Sequence, residues 1–198
     1  MSLKNLLLQK RSRIVKKWRD VILQTYHEQS QGFLKKKDSF GNPVGCTISE
    51  GIESLYDALL EDSEDSGSDK ISEALDSIMK VRAIQDFSPS RAVGFVFGLK
   101  KVIREELGNE ILQNGSHEEW AAFDARIDGL GLLGFDIYAN CRQKISDIRV
   151  NEVRTRSYRL LQMAGLSYDL SEHEGDPNGE KKEDGASNGQ HNMEAREH

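Results

Sequence analysis

At 198 residues, 37% apolar and 30% charged, the chain can bury one core but holds no run near the roughly 20 apolar residues of a membrane span. Its net charge of −6 lies in residues 169–198, nine acids against three bases, which leaves 24 of each in the body. A neutral body argues against nucleic-acid binding, whose affinity rests on neutralising phosphates.

Helical periodicity dominates and no stretch alternates with period two. The spacing predicts a first helix over residues 3–29, with Leu7, Ile14, Trp18, Val21 and Thr25 on one stripe. Its start is charged too quickly for a signal segment, so the expected location is the cytoplasm. Gly32 and Phe40-Gly41-Asn42-Pro43-Val44-Gly45 read as loop. Thr47-Ile48-Ser49-Glu50 has capping-box spacing and is expected to start the second helix, with Ile48, Ile52, Leu55 and Leu59 inward. After the acidic loop Glu61-Asp62-Ser63-Glu64-Asp65-Ser66-Gly67, a third helix over 69–85 places Ile71, Leu75, Ile78 and Arg82 together. Ser88 then caps a fourth helix, with Pro89 at its first position, where the missing amide has no partner to lose; it is expected to reach about Leu107. Ser116-His117-Glu118-Glu119 is a second capping box. Behind it Trp120, Phe123, Ile127, Leu130, Gly134, Ile137, Cys141, Ile145 and Ile148 step by three or four, predicting one long helix, or two joined near Gly129-Leu130-Gly131, to about Ala164. Past Tyr168 too little apolar surface remains to repay ordering, and the tail is expected to be disordered.

Glycines inside these helices each cost on the order of 1 kcal/mol against alanine, which close helix contact would offset. Gly94 and Gly98, four apart, lead to the expectation that the fourth helix crosses the last near Gly131 and Gly134; the plainer reading is tolerated glycines at a kink. The aromatics Phe95, Phe97, Phe123, Phe135 and Tyr138 are expected in the core.

Residues with chemical potential are few. Of five histidines only His27 and His117 fall in the folded body, and neither stands in a haem-attachment motif. The cysteines, Cys46 and Cys141, lack disulfide-framework or metal spacing. Asp124 and Asp128 lie four apart with Asp136 beyond, but no Glu-x-x-His pairs accompany them, which disfavours a di-iron bundle site. The simpler reading is a buried charge network of Arg82, Arg91, Asp124, Arg126, Asp128 and Asp136, since buried charges need partners. No catalytic, cofactor-binding or metal-binding residue is assigned. Lys4, Lys10, Arg11, Arg13, Lys16, Lys17 and Arg19 precede any acid in the first helix; such a face can touch an anionic membrane, and is more commonly just solvated.

Segment 81–100, containing Ala83-Ile84-Gln85-Asp86-Phe87-Ser88-Pro89-Ser90, is the most distinctive block. With Asp124-Ala125-Arg126-Ile127-Asp128, Phe135-Asp136-x-Tyr138, Cys141-Arg142, Asn151-Glu152, Trp18 and Asn42-Pro43-Val44-Gly45, it resembles the RsbRD N-terminal domain family over residues 7–166. The resemblance implies an all-helical input domain, similar to a globin without haem, that dimerises and feeds a long helix into a C-terminal STAS domain of bacterial stress signalling. Here a polar tail follows the long helix, so a stand-alone member is expected and no phosphorylatable STAS residue carries over. The expected architecture is an all-α, globin-like bundle of five to six helices over residues 1–168, with a tail over 169–198. The expected function is a non-enzymatic sensor or adaptor that dimerises and binds a protein partner, without cofactor. The alternative is a receptor for a small apolar ligand in the haem-free cavity.

Overall fold

The computed structural model describes residues 2–36, 40–61, 64–113 and 116–166, the side chains of 64–67 excepted. All regular structure among them is helical: α1 (Leu3–Gln9), α2 (Arg11–Leu23), α3 (Glu28–Leu34), α4 (Pro43–Leu60), α5 (Glu64–Ile84), α6 (Pro89–Gln113) and α7 (His117–Met163). The chain divides into residues 1–153 and residues 154–198. In the second unit α7 ends in a Schellman motif: Gly165 has φ +66, and the Leu166 amide donates to the Leu161 carbonyl, satisfying carbonyls that a helix end leaves open. The tail expected over 169–198 lies outside the described residues.

The single first helix expected over 3–29 is instead three. A continuous helix would turn Lys10 and Arg11 toward the stripe that holds Leu7 and Ile14, both buried. The backbone breaks at Lys10 (φ −96, ψ 5), and the two cations reach acids: Lys10 lies 3.2 Å from Glu110 and Arg11 binds Asp57 through two bonds of 2.6 Å. Charged hydrogen bonds of this kind offset the lost helical continuity. At the other end the Thr25 hydroxyl takes the Ile22 carbonyl at 2.6 Å, a side-chain bond that competes with the helix ladder. α2 stops at Leu23, and Gly32, expected in a loop, belongs to α3.

The cap of α4 lies five residues before the expected Thr47. Buried Asn42 is the N-cap: its Oδ1 accepts from the Gly45 amide at 2.9 Å, while its Nδ2 donates to the Leu34 and Lys36 carbonyls. One side chain thus closes the α3–α4 connection and satisfies an orphan amide. Thr47, inside the helix, donates to the Pro43 carbonyl. Against α4 lies α5, and a Cβ on Gly51 would sit 2.8 Å from Ile78 Cδ1, so a larger residue there would have to displace the Ile78 side chain. Ile48, Ile52, Leu55 and Leu59 point inward as expected, joined by Leu75, Ile78 and Met79 of α5 and by the buried faces of α2 and α6.

α2 and α6 are also clamped electrostatically. The nearly buried Glu106 carboxylate of α6 meets Lys17 at 2.5 Å and Arg13 at 2.7 Å. Four cations of the basic N-terminal segment (Lys10, Arg11, Arg13 and Lys17) are therefore engaged within the body. The Lys17 ammonium against it holds the Glu106 carboxyl below its ordinary range, against the opposing effect of burial. A depressed carboxylate stabilises above its unfolded-state pKa and loses that contribution as pH falls through the lower folded value. Glu106→Gln should therefore cost about 1 kcal/mol near neutrality. The gap from the parent should close as pH drops below about 4; denaturant titrations at several pH values check this.

Candidate functional site

The chemistry-bearing residues gather where α5 hands over to α6. Asp86 has φ +60, a left-handed conformation unusual for a residue with a side chain. The Asp86 amide donates to the Ala83 carbonyl and the Phe87 amide to the Arg82 carbonyl, so α5 closes with a Schellman motif whose left-handed position, normally glycine, carries a carboxylate. That carboxylate lies 2.5 Å from Arg142 Nη1 on α7, which also donates to the Ala83 carbonyl at 3.0 Å. One turn earlier on α7, the Tyr138 hydroxyl donates to the Phe87 carbonyl. Two side chains of α7 thus hold one short turn.

Beneath the turn lies Arg82, wholly buried. Its Nη2 donates to Thr25 Oγ1 at 3.0 Å and to the Arg91 carbonyl at 2.5 Å. Nε and Nη1 have no hydrogen-bond partner among the described residues. Aromatic faces surround the guanidinium: Phe87 at 4.1 Å, Tyr26 at 5.5 Å and Phe95 at 5.8 Å. A weakly hydrated, planar cation tolerates such a cage better than an ammonium would. Burial nonetheless pushes the Arg82 pKa down. Arg91 stacks on Phe87 at 5.2 Å and donates to the Thr25 carbonyl at 2.5 Å. Tyr26 meets Phe87 edge-on at 5.1 Å and donates to Gln85. The connections after α2 and after α5 are thereby tied through one buried cation.

Beside this corner the α6–α7 surface opens into a groove of about 650 Å³ with Val93, Gly94, Phe97, Gly131, Leu132 and Phe135 in its walls. An adjoining cleft of about 520 Å³ shares Pro89 and Phe135 and adds Tyr138, Arg142, Gln143 and Ser146. Phe97 is 43% exposed, Leu132 69% and Phe135 50%, so two aromatics expected in the core face outward, while Phe95, Phe123 and Tyr138 are buried. α7 carries two stripes at helical spacing. Phe123, Ile127, Leu130, Gly134, Tyr138 and Cys141 are inside, whereas Leu132, Phe135, Ala139, Ser146, Val150 and Val153 are exposed, with Arg142 midway along the outer one.

The glycines expected to bring α6 and α7 together divide. A Cβ on Gly131 would strike the Phe97 ring, and one on Gly134 would sit 3.0 Å from Met79 Cε of α5. Gly98 instead faces Val21 of α2, where a Cβ would be 2.7 Å away, and Gly94 meets nothing within 4 Å because it lies in the open groove. The six residues expected as one buried charge network do not form one. Only Arg82 is buried. Asp124 and Asp128 take Lys100, at 2.6 and 2.8 Å, and Arg104 adds a contact to Asp124. Arg126 donates to the Glu61 carbonyl, and Arg91 and Asp136 are exposed. His27 and His117 are exposed as well. Arg142 and Tyr138 were not singled out for a site from sequence. The available signal was Gln85-Asp86-Phe87 between two helices, where one residue must turn left-handed and aspartate is among the few side chains that tolerate it.

A second surface depression of about 550 Å³ lies between α4 and α5, among Glu50, Asp57, Glu61, Lys70 and Glu73; Arg11 engages Asp57 and Lys70 engages Glu61. A smaller one of about 230 Å³ is lined by Leu3, Leu7, Leu59, Leu60 and Phe123. Among the described residues no cluster of three or more His, Cys, Asp and Glu could hold a metal, and no helix is long and apolar enough to cross a membrane.

The family model described as RsbT co-antagonist protein rsbRD N-terminal domain matches residues 12–153, from α2 through the part of α7 that belongs to the first unit. Comparison with curated proteins and with solved structures finds no match.

Proposed function

Because the chain belongs to the rsbRD N-terminal domain family, a family of signalling sensor domains, we propose that it is a non-enzymatic input domain of bacterial stress signalling that works by protein–protein contact and pairs with a second copy of itself. The observation that carries this reading is the outer stripe of α7. A helix with one apolar face already in the core has no folding reason to expose Leu132, Phe135, Val150 and Val153 along the other. The groove at Gly94 supplies a recess for such side chains, and a two-fold axis along α7 would let each copy fill the other's. The residues beyond, Tyr158, Leu160, Leu161 and Met163, are also exposed and are the proposed contact for a downstream protein partner. A cytoplasmic location goes with this reading.

Leu132→Glu tests it. The side chain is mostly exposed, so the folded chain should lose less than about 0.5 kcal/mol. Burying the new carboxylate against an apolar partner should weaken self-association by about 100-fold or more. Light scattering over a micromolar concentration series reads both proteins. A parent that stays monomeric throughout, or a variant that associates equally well, removes the dimer.

A further inference from the structure

The left-handed Asp86 stands where glycine would be unstrained, and its side chain does one visible thing: it holds Arg142. Strain kept at a position where glycine would relieve it points to a role for the side chain. Arg142 lies on the outer stripe of α7, in the cleft beside the groove, and its other bond goes to Ala83 of the same turn. Behind the turn, Phe87 covers the buried Arg82 guanidinium, two of whose nitrogens have no acceptor. A group that binds Arg142 from outside therefore competes with the contact that keeps this corner shut.

We propose that Asp86 and Arg142 form a latch coupling the α5–α6 turn to occupation of α7's outer face, so that docking of a second copy loosens the turn over Arg82 and the state of the turn tunes docking in return. The inference rests on the dimer reading above for the identity of the occupant. With the latch closed, Arg142 is shared between the Asp86 carboxylate and the Ala83 carbonyl, and Tyr138 holds the Phe87 carbonyl. With Arg142 drawn to a partner, the strained Asp86 loses its compensating contact and Phe87 is free to lift from the cation. Coupling of this kind is reciprocal by linkage: a partner that opens the latch binds better when the latch is already open.

Two variants of the full chain separate the latch from simple stability. Asp86→Gly removes the carboxylate while suiting the left-handed backbone, so the turn keeps its shape and loses its tether. Arg142→Gln removes the tether and leaves the strain in place. Amide exchange read by mass spectrometry should quicken about fivefold or more over residues 138–146 in both, relative to the amides of α4, which report the global core. Only Arg142→Gln should also quicken the amides of residues 85–87. Asp86→Gly, which frees Arg142 but keeps it, should tighten self-association by about threefold or more, whereas Arg142→Gln, which lacks the side chain that the partner draws away, should not tighten it. An α7-to-α4 exchange ratio within twofold of the parent, equal acceleration of both helices, or, where the parent is dimeric, self-association of Asp86→Gly no tighter than the parent's overturns the latch. If the parent never dimerises the dimer reading fails by itself, and the exchange ratio alone then decides whether the turn is tethered through Arg142.

Discussion

Trp18→Ala is expected to lower the stability of the chain by about 3–5 kcal/mol, the largest effect of a single truncation here. Trp18 is fully buried, its indole Nε1 donates to the Phe95 carbonyl at 2.8 Å, and its ring stacks on Phe95 with centroids 6.0 Å apart. The truncation opens a void between α2 and α6 that rigid helices cannot collapse, and the transfer and cavity terms then add. Trp18→Phe separates packing from hydrogen bonding: it keeps most of the apolar area and loses the indole donor, so a cost of about 1–2 kcal/mol is expected. Urea denaturation at constant m-value resolves the two. A Trp18→Ala cost below that of Trp18→Phe would show that the α2–α6 contact does not depend on this side chain.

Arg82 supplies the second large effect, and its sign depends on what replaces it. Arg82→Ala leaves a hole inside a cage of three aromatic rings and strips the donor from Thr25 and from the Arg91 carbonyl, for an expected loss of about 3 kcal/mol. Arg82→Met fills most of the same volume and also removes a desolvated cation whose Nε and Nη1 lack acceptors. Replacing a buried charge by an apolar group of similar size is often neutral or stabilising, so this variant should lie within about 1 kcal/mol of the parent. Arg82→Lys should be worse than methionine, because a strongly hydrated ammonium gains less from ring faces and cannot span both acceptors. Equal damage from methionine and alanine would mean that the two hydrogen bonds, and not the filled volume, hold the corner together.

The elements opened by strong local signals were the legible ones. Ser88-Pro89 marks the start of α6, and Ser116 lies immediately before α7; helix starts of this kind are set by nearest-neighbour backbone chemistry. The first 29 residues misled because periodicity recorded the apolar stripe and not the cations at Lys10 and Arg11, whose acids lie 100 and 46 residues away. Asn42 outcompeted the Thr47 capping box because its side-chain amide also reaches the Leu34 and Lys36 carbonyls, partners that lie beyond the three-residue window of a capping box. The candidate site was less legible. Two glycines four apart differ by about 40° around a helix, enough for Gly98 to meet α2 while Gly94 opens outward. Phe97 and Phe135 carry the same hydrophobicity as Phe95, and no pattern along the chain separates an aromatic that fills a core from one that walls a groove.

The amino-acid sequence by itself determined that this protein is helical, where its two longest helices begin, the stripe of α7 from Phe123 to Cys141 that is buried, and which family the chain resembles. Those properties follow from contacts within four residues and from the apolar period. Tertiary structure alone decided that Asp86 turns left-handed against Arg142, that Arg82 is caged by rings instead of carboxylates, and that α7 exposes a second apolar face. Each of these depends on which distant side chain arrives at a given surface, and in the folded chain that is set by packing the helices together.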